Sequence, residues 1–280
     1  MYRLVVSDLD ETFLDEDHRI PQANIRALER MHRAGVLFVP SSGRGYASIV
    51  ANFDGVDPTL LQDSYVISYN GGFINRFGDP TPLTSCGLEA ACANTLYAEG
   101  RRRNLCVHVY LADGRVFVCD APAAEHAYLA SLSYVEFFDG NEHTSLDFLA
   151  NEQLVKIIYM SEDFDELHIV GDELAGMADE LSLDRTYSSG RYLEFMPKGV
   201  NKGTGLARLA EMLDIPLAEV VAVGDSANDH EMLAMAGLGV GVANVTDDVR
   251  PACDVVLGTS GTEGAFGELF DRFVAPGLPG

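Results

Sequence analysis

Leu4-Val5-Val6-Ser7-Asp8-Leu9-Asp10-Glu11-Thr12 opens the chain with a short apolar run that ends on two aspartates one residue apart. Such a run reads as a buried strand, of the kind that sits inside a sheet covered on both faces. The same grammar returns far along the chain at Val220-Val221-Ala222-Val223-Gly224-Asp225-Ser226-Ala227-Asn228-Asp229. Between them lie Val36-Leu37-Phe38-Val39-Pro40-Ser41-Ser42-Gly43-Arg44 and Gly199-Val200-Asn201-Lys202-Gly203. Four carboxylates, one hydroxyl and one lysine thus stand at or near the ends of buried elements. That set suits magnesium-assisted phosphoryl transfer through an aspartyl phosphate.

Working outward, Pro21 to Ala34 reads as a helix with Ile25, Leu28, Met31 and His32 on one side, stopped by Gly35. Val36–Val39 and Tyr65–Tyr69 read as further strands, with a turn and helix from Gly43 to Phe53 between them. This strand–helix alternation predicts an α/β fold built on a parallel sheet. The middle differs. Residues 105–111 and 115–118 flank Asp113-Gly114, a good hairpin turn, and strands at 154–160, 182–187 and 192–196 alternate with helices. An α+β insert over 83–189, antiparallel with its helices on one face, is expected inside a core of 1–82 and 190–280. The first rhythm resumes with helices at 204–213 and 230–236 and strands at 220–223, 239–242 and 254–257. The tail Ala275-Pro276-Gly277-Leu278-Pro279-Gly280 is expected to be loose.

In an open parallel sheet, ligands bind beyond the carboxyl ends of the strands. Asp8, Ser42, Asn70 and Asp225 each follow an apolar run, so they are expected to converge although they are distant in sequence. Asp8 and Asp10 at i, i+2 can face one crevice, and Asp225 and Asp229 at i, i+4 share a side of a helix start. Four carboxylates so placed raise one another's pKa unless a cation offsets them. An all-oxygen donor set without a His or Cys cluster selects a hard ion such as Mg²⁺. Lys202 brings a positive charge to a phosphoryl group, and Ser42 a neutral donor. Ser41 is the nearest competitor of Ser42. Arg44 reads equally as a substrate contact or an ion pair. His230 reads as structural, and Arg101-Arg102-Arg103 as a match to a helix C-terminus. Tyr192, Phe195 and Phe266 read as core aromatics.

The 280 residues carry a net charge of −24, which argues against nucleic acid or an anionic membrane surface as partners. Lysine is scarce: only Lys156, Lys198 and Lys202 occur, two of them within five residues. Five cysteines without a CxxC pair point to reduced thiols, and with no membrane span or signal segment a cytoplasmic location is expected.

These motifs, in this order, resemble the haloacid dehalogenase superfamily, and within it the Cof-type phosphatases with a large α/β cap. The resemblance spans almost the whole chain, including the insert's place between the second and third motifs. It implies a Rossmann-like core with an inserted specificity cap, and hydrolysis of small phosphomonoesters such as sugar phosphates or phosphorylated cofactors. It implies Asp8 as nucleophile and Asp10 as the acid that protonates the leaving group and then activates water. Asp8, the Asp10 carbonyl and Asp225 would hold Mg²⁺ with help from Asp229. Ser42, Gly43, Lys202 and Asn228 would bind phosphoryl oxygens, and Asn70 and Gly71 would face the substrate. Glu11, Ser42 and Ser226 replace the commoner Gly, Thr and Gly. A sugar phosphomutase on the same scaffold is the enzymatic alternative. A receiver-like phosphoacceptor or phosphate sensor is the non-enzymatic one, disfavoured because it needs neither Asp10 nor the insert.

Overall fold

The computed structural model describes residues 1–130, 132 and 134–277. The chain divides into two compact units, one made of Met1–Ser85 with Asn201–Gly280 and the other of Cys86–Val200.

The first unit is built on a five-stranded, all-parallel sheet. Leu4–Ser7 lies between Leu37–Pro40 on one side and Val220–Gly224 on the other, followed by Leu238–Gly241 and Val255–Val256. Alternation within the apolar runs supplies two cores. Val5, Phe38, Val221 and Val223 pack on one face with Leu28, Met31 and Phe266. Leu4, Val6, Val39 and Ala222 pack on the other with Leu206, Leu209 and Met232. Both faces are dry, as a parallel sheet requires. The Gln22–Arg33 helix covers the first face through Asn24, Ala27, Leu28 and Met31, while His32, expected on that face, is exposed. Gly35 ends it with φ at 69°.

The strand at Tyr65–Ser68 keeps its expected parallel direction beside Ser41, but its ladder pairing lies elsewhere. It forms an antiparallel sheet with Phe73–Arg76 and Pro82–Ser85, and joins the parallel system through a single bridge, Ser41 to Ile67. Phe266–Leu269 continues into a wide helical turn over Phe270–Val274. Of the expected loose tail, Ala275–Gly277 is a short helical turn, and 278–280 lie outside the described residues.

The second unit carries a six-stranded sheet in the order Leu183–Ser188, Tyr192–Pro197, Leu154–Met160, Cys106–Leu111, Val116–Cys119, Val135–Phe138. It is antiparallel except for its last pair. The boundary expected at 189/190 is therefore corrected to Asn201: Tyr192–Pro197 pairs on both edges with strands of this sheet and cannot leave it. The opening boundary moves to Cys86, because Pro82–Ser85 pairs with Phe73–Arg76. The expectation of helices on one face is also corrected. Ala90–Arg102 and Phe164–Glu173 pack against Val107, Val109, Ile157, Tyr159 and Leu193. The short Ala123–Leu129 helix lies on the opposite side, where Leu129 meets Cys106, Val116, Val118 and Met160. That opposite side also buries His108 and Glu125. No described helix is long and apolar enough to cross a membrane.

Candidate active site

Because the five core strands are parallel and in register, their carboxyl ends fall on one edge. Asp8 follows Ser7 there, Ser41 and Ser42 follow Pro40, and Asp225 follows Gly224. The Lys202–Met212 helix begins at the same place. Asn201 caps it, its side chain accepting from the Thr204 N–H at 2.8 Å while Thr204 Oγ1 takes the Asn201 N–H at 3.1 Å. This start is pressed against the turn at Tyr69–Gly71. A Cβ on Gly71 would lie 2.1 Å from the Asn201 carbonyl oxygen, so only glycine permits the approach.

Lys202 is fully buried, and its ammonium bridges two carboxylates, Asp8 Oδ1 at 2.5 Å and Asp229 Oδ1 at 2.6 Å. Burial pushes the ammonium towards neutrality, but Asp8 and Asp229 outweigh it and hold the proton above the usual lysine range. Asp229 Oδ2 takes the N–H groups of Asp225 and Ser226 at 3.0 and 3.1 Å. Asp225 Oδ1 accepts from Thr12 Oγ1 at 2.7 Å. Burial, followed by the charges of Asp8 and Asp229, pushes the Asp225 carboxyl up to about 7, with the Thr12 hydrogen bond opposing. Burial and Asp8 push Asp229 up to about 6 against the pull of Lys202.

A second chain of contacts ties the phosphate-side candidates together. Asn228 Nδ2 donates to Asn70 Oδ1 at 3.3 Å, and the Asn70 N–H donates to the Ser42 carbonyl at 3.0 Å. Gly43 lies against the Asn70 amide, where a Cβ would come within 3.2 Å. Tyr69, Asn70 and Gly71 are consecutive left-handed residues, with φ of 50°, 52° and 90°. For the first two this costs on the order of 1–2 kcal/mol each. The turn is held by N–H donation from Tyr69 to the Arg44 carbonyl at 3.0 Å, beside the Asn70 bond. Ser42 Oγ accepts the Arg44 N–H at 3.2 Å, whereas the neighbouring Ser41 Oγ is buried with no hydrogen-bond partner.

Asp10 stands outside the Lys202 network. Its carboxyl is partly exposed, 3.0 Å from His18 Nδ1 and 3.3 Å from Arg44 Nε. Arg44 is thus an ion-pair partner of Asp10, and its buried Nη2 makes no hydrogen bond. His230 is an exposed residue at a helix start. Glu11 is exposed at φ 59°, and its carbonyl accepts from Asn244 Nδ2 at 3.0 Å. Three contributors escaped the sequence reading. Thr12 stands two residues after Asp10, and only its bond to Asp225 reveals its role. His18 and Asn244 carry no local signal at all.

The donor set fits a hard divalent cation. Asp8, Asp225 and Asp229 each offer an oxygen within 4.8 Å of the others, all three are buried, and the raised Asp225 and Asp229 mark a surplus of negative charge that such an ion would relieve. Asp10, expected among the ligands through its carbonyl, adds no carboxylate oxygen to this group.

The haloacid dehalogenase-like hydrolase profile matches residues 5–269. The HMP-PP phosphatase of Yersinia enterocolitica is 29% identical over 254 residues, spanning 89% of this chain and 87% of that protein. Among solved structures, TM0651 from Thermotoga maritima superposes with a TM-score of 0.84 over 98% of each chain at 22% identity. The subclass IIB sugar phosphatase BT4131 gives 0.76 over 97% and 99% at 19% identity. These two likenesses are of fold. Together with four ordered motifs meeting at one sheet edge, the profile places the chain in the haloacid dehalogenase-like hydrolase family.

Proposed function

We propose that this chain is a magnesium-dependent phosphatase that hydrolyses small phosphomonoesters through an aspartyl phosphate on Asp8. The observation that carries this reading is the fully buried Lys202 ammonium, 2.5 Å from one Asp8 oxygen. It neutralises part of the charge on a carboxylate that must approach a phosphoryl dianion.

Asp8 attacks phosphorus with a carboxylate oxygen, and the bond from phosphorus to the leaving oxygen breaks. Asp10 gives its proton to that oxygen, so the leaving group departs as a neutral alcohol. Asp10 then takes a proton from the attacking water, and the bond from phosphorus to Asp8 breaks, releasing inorganic phosphate. Lys202, Ser42 and Asn228 bind phosphoryl oxygens, with the Gly43 backbone beside them, while Asn70 and Gly71 shape the substrate side. Asp8, the Asp10 carbonyl and Asp225 would hold the metal with help from Asp229, which also fixes Lys202. Bound there, Mg²⁺ would screen the charge that accumulates on the transferring phosphoryl group. The Cys86–Val200 unit acts as the cap that selects among leaving groups. The names of its relatives, an HMP-PP phosphatase and a sugar phosphatase, support a small phosphorylated metabolite as substrate.

The test is hydrolysis of p-nitrophenyl phosphate with Mg²⁺, with excess chelator, and by Asp8→Asn. Activity is expected only in the first. Undiminished turnover of metal-stripped protein would overturn the metal requirement, and turnover by Asp8→Asn would overturn the covalent route.

A further inference from the structure

The segment that follows the first motif folds back on itself. The Asp15 N–H donates to the Arg19 carbonyl at 2.8 Å, and the His18 N–H to the Asp15 carbonyl at 3.0 Å. Asp15 Oδ1 accepts from the N–H groups of Asp17 and Arg19 at 3.0 and 2.9 Å. Asn52 Nδ2 donates to the His18 carbonyl at 3.0 Å, tying the turn to the body of the unit. Five hydrogen bonds thus fix the backbone around a residue in a left-handed conformation, φ 57°. Side chains adopt this region rarely, His among those more tolerant of it. The side chain so presented is two-thirds exposed, an environment in which an unattached imidazole would sample several rotamers. It instead meets Asp10 Oδ1 through Nδ1 at 3.0 Å. Arg44 approaches the other oxygen, Oδ2, at 3.3 Å, without hydrogen-bond geometry.

We infer that His18 is a positioning residue for Asp10: the constrained turn holds its imidazole so that the Asp10 carboxyl keeps the orientation in which it delivers a proton to the leaving oxygen. The pair shares one hydrogen in either arrangement. An Nδ1–H donates to a bare Oδ1 both while Oδ2 carries the proton bound for the leaving oxygen and after that proton has left, so the carboxyl plane is set in both. The inference rests on the reading of Asp10 as the general acid. Arg44, an ion-pair contact at 3.3 Å, restrains the second oxygen only loosely, so the directional part of the restraint falls to His18.

The experiment compares kcat/KM for an alkyl and an aryl phosphate, because this quantity reports the steps up to departure of the leaving group. An alkoxide needs a proton to leave and a nitrophenolate hardly does. His18→Gly removes the imidazole and relieves the backbone. His18→Asn keeps an N–H near the Nδ1 position and tolerates the left-handed turn. His18→Gly is expected to lower kcat/KM on the alkyl ester about ten- to a hundredfold, part of the roughly 10²–10⁴ that acid–base catalysis contributes. The loss on the aryl ester is expected to be less than about threefold, and His18→Asn should recover most of the alkyl rate. Equal losses on both esters, or failure of His18→Asn to recover the rate while His18→Gly stays folded, would reduce His18 to a structural part. Asp10→Asn separates the two levels. If it too shows no preference for aryl over alkyl, the acid role of Asp10 is wrong. If it shows the preference and His18→Gly behaves as wild type, only the present inference is wrong.

Discussion

Lys202 couples stability to chemistry on a single ammonium. Two carboxylates share it in a fully buried place, and removing one partner of such a cluster leaves uncompensated charge. Lys202→Met is expected to abolish turnover and, in chelator at pH 7.5, to cost about 3–5 kcal/mol in urea unfolding. The sign with pH follows from what replaces the ammonium. Without it, a proton on Asp229, whose carboxyl burial and Asp8 already push up to about 6, is the remaining means of neutralisation, so the penalty should shrink as pH falls to about 5.5. A penalty equal at both pH values would show that Lys202 does not compensate them. At this scale the sequence is legible where a residue's role is local. Asp8 and Asp225 announce themselves because a charge directly after an apolar run is costly unless something beyond the strand end needs it. Thr12 and His18 are different. The hydroxyl of Thr12 is explained by Asp225, 213 positions away, and the imidazole of His18 by a turn whose shape depends on Asn52. No pattern in their own neighbourhoods encodes those partners.

Two elements lend themselves to measurement. The turn Tyr69–Gly71 and the start of the Lys202–Met212 helix meet through backbone, with no side chain between them. Gly71→Ala drives a Cβ into the Asn201 carbonyl and should displace the helix start that carries Lys202. Gly55 has nearly the same backbone angle, φ 87° against 90°, but open space around it. Gly55→Ala should therefore cost only about 1 kcal/mol for the left-handed conformation, and Gly71→Ala several times more, with loss of activity. Similar costs at both sites in urea unfolding would show that backbone angle alone is at stake. The second element is the Cys106–Leu111 strand, which places His108 in a buried setting where neither ring nitrogen is hydrogen-bonded and Nε2 lies 3.6 Å from Glu125 Oε1. Burial first, then the charges of Lys156 and Arg191, lower its pKa to about 4, while Glu194 opposes. The unfolded chain therefore binds an extra proton between about pH 6.5 and 4, and stability falls as pH drops through that window. His108→Phe should flatten this part of the stability profile, and an unchanged slope would acquit His108. Strand existence was readable here from alternation, but strand partnership was not. Tyr192–Pro197 looks the same in sequence whether it joins the first sheet or the second, because pairing energy lies with neighbours contributed by Leu154–Met160 and Leu183–Ser188.

For the molecule as a whole, a net charge of −24 sets a repulsive field for any phosphorylated substrate. Raising ionic strength from about 10 to about 150 mM at constant free Mg²⁺ shortens the screening length from roughly 30 to 8 Å. The expected result is a severalfold rise in kcat/KM for a dianionic ester. A falling profile would mean that local cations such as Arg44, not the global field, govern capture. The arrangement of strands has a further consequence, in time rather than in space. Leu4–Ser7 is synthesised long before Val220–Gly224, yet it lies in the interior of its sheet, and one of its two edges pairs with that later strand. At about 5–20 residues per second, that edge waits on the order of ten to forty seconds for its neighbour to be made. During that interval the continuous Cys86–Val200 unit can fold by itself, whereas the nascent core presents an unpaired apolar strand of the kind that recruits wrong partners. Ribosome-bound chains halted before Val220 should therefore depend on chaperones through residues 1–85 and not through the segment between, a vulnerability of birth that the finished protein no longer displays.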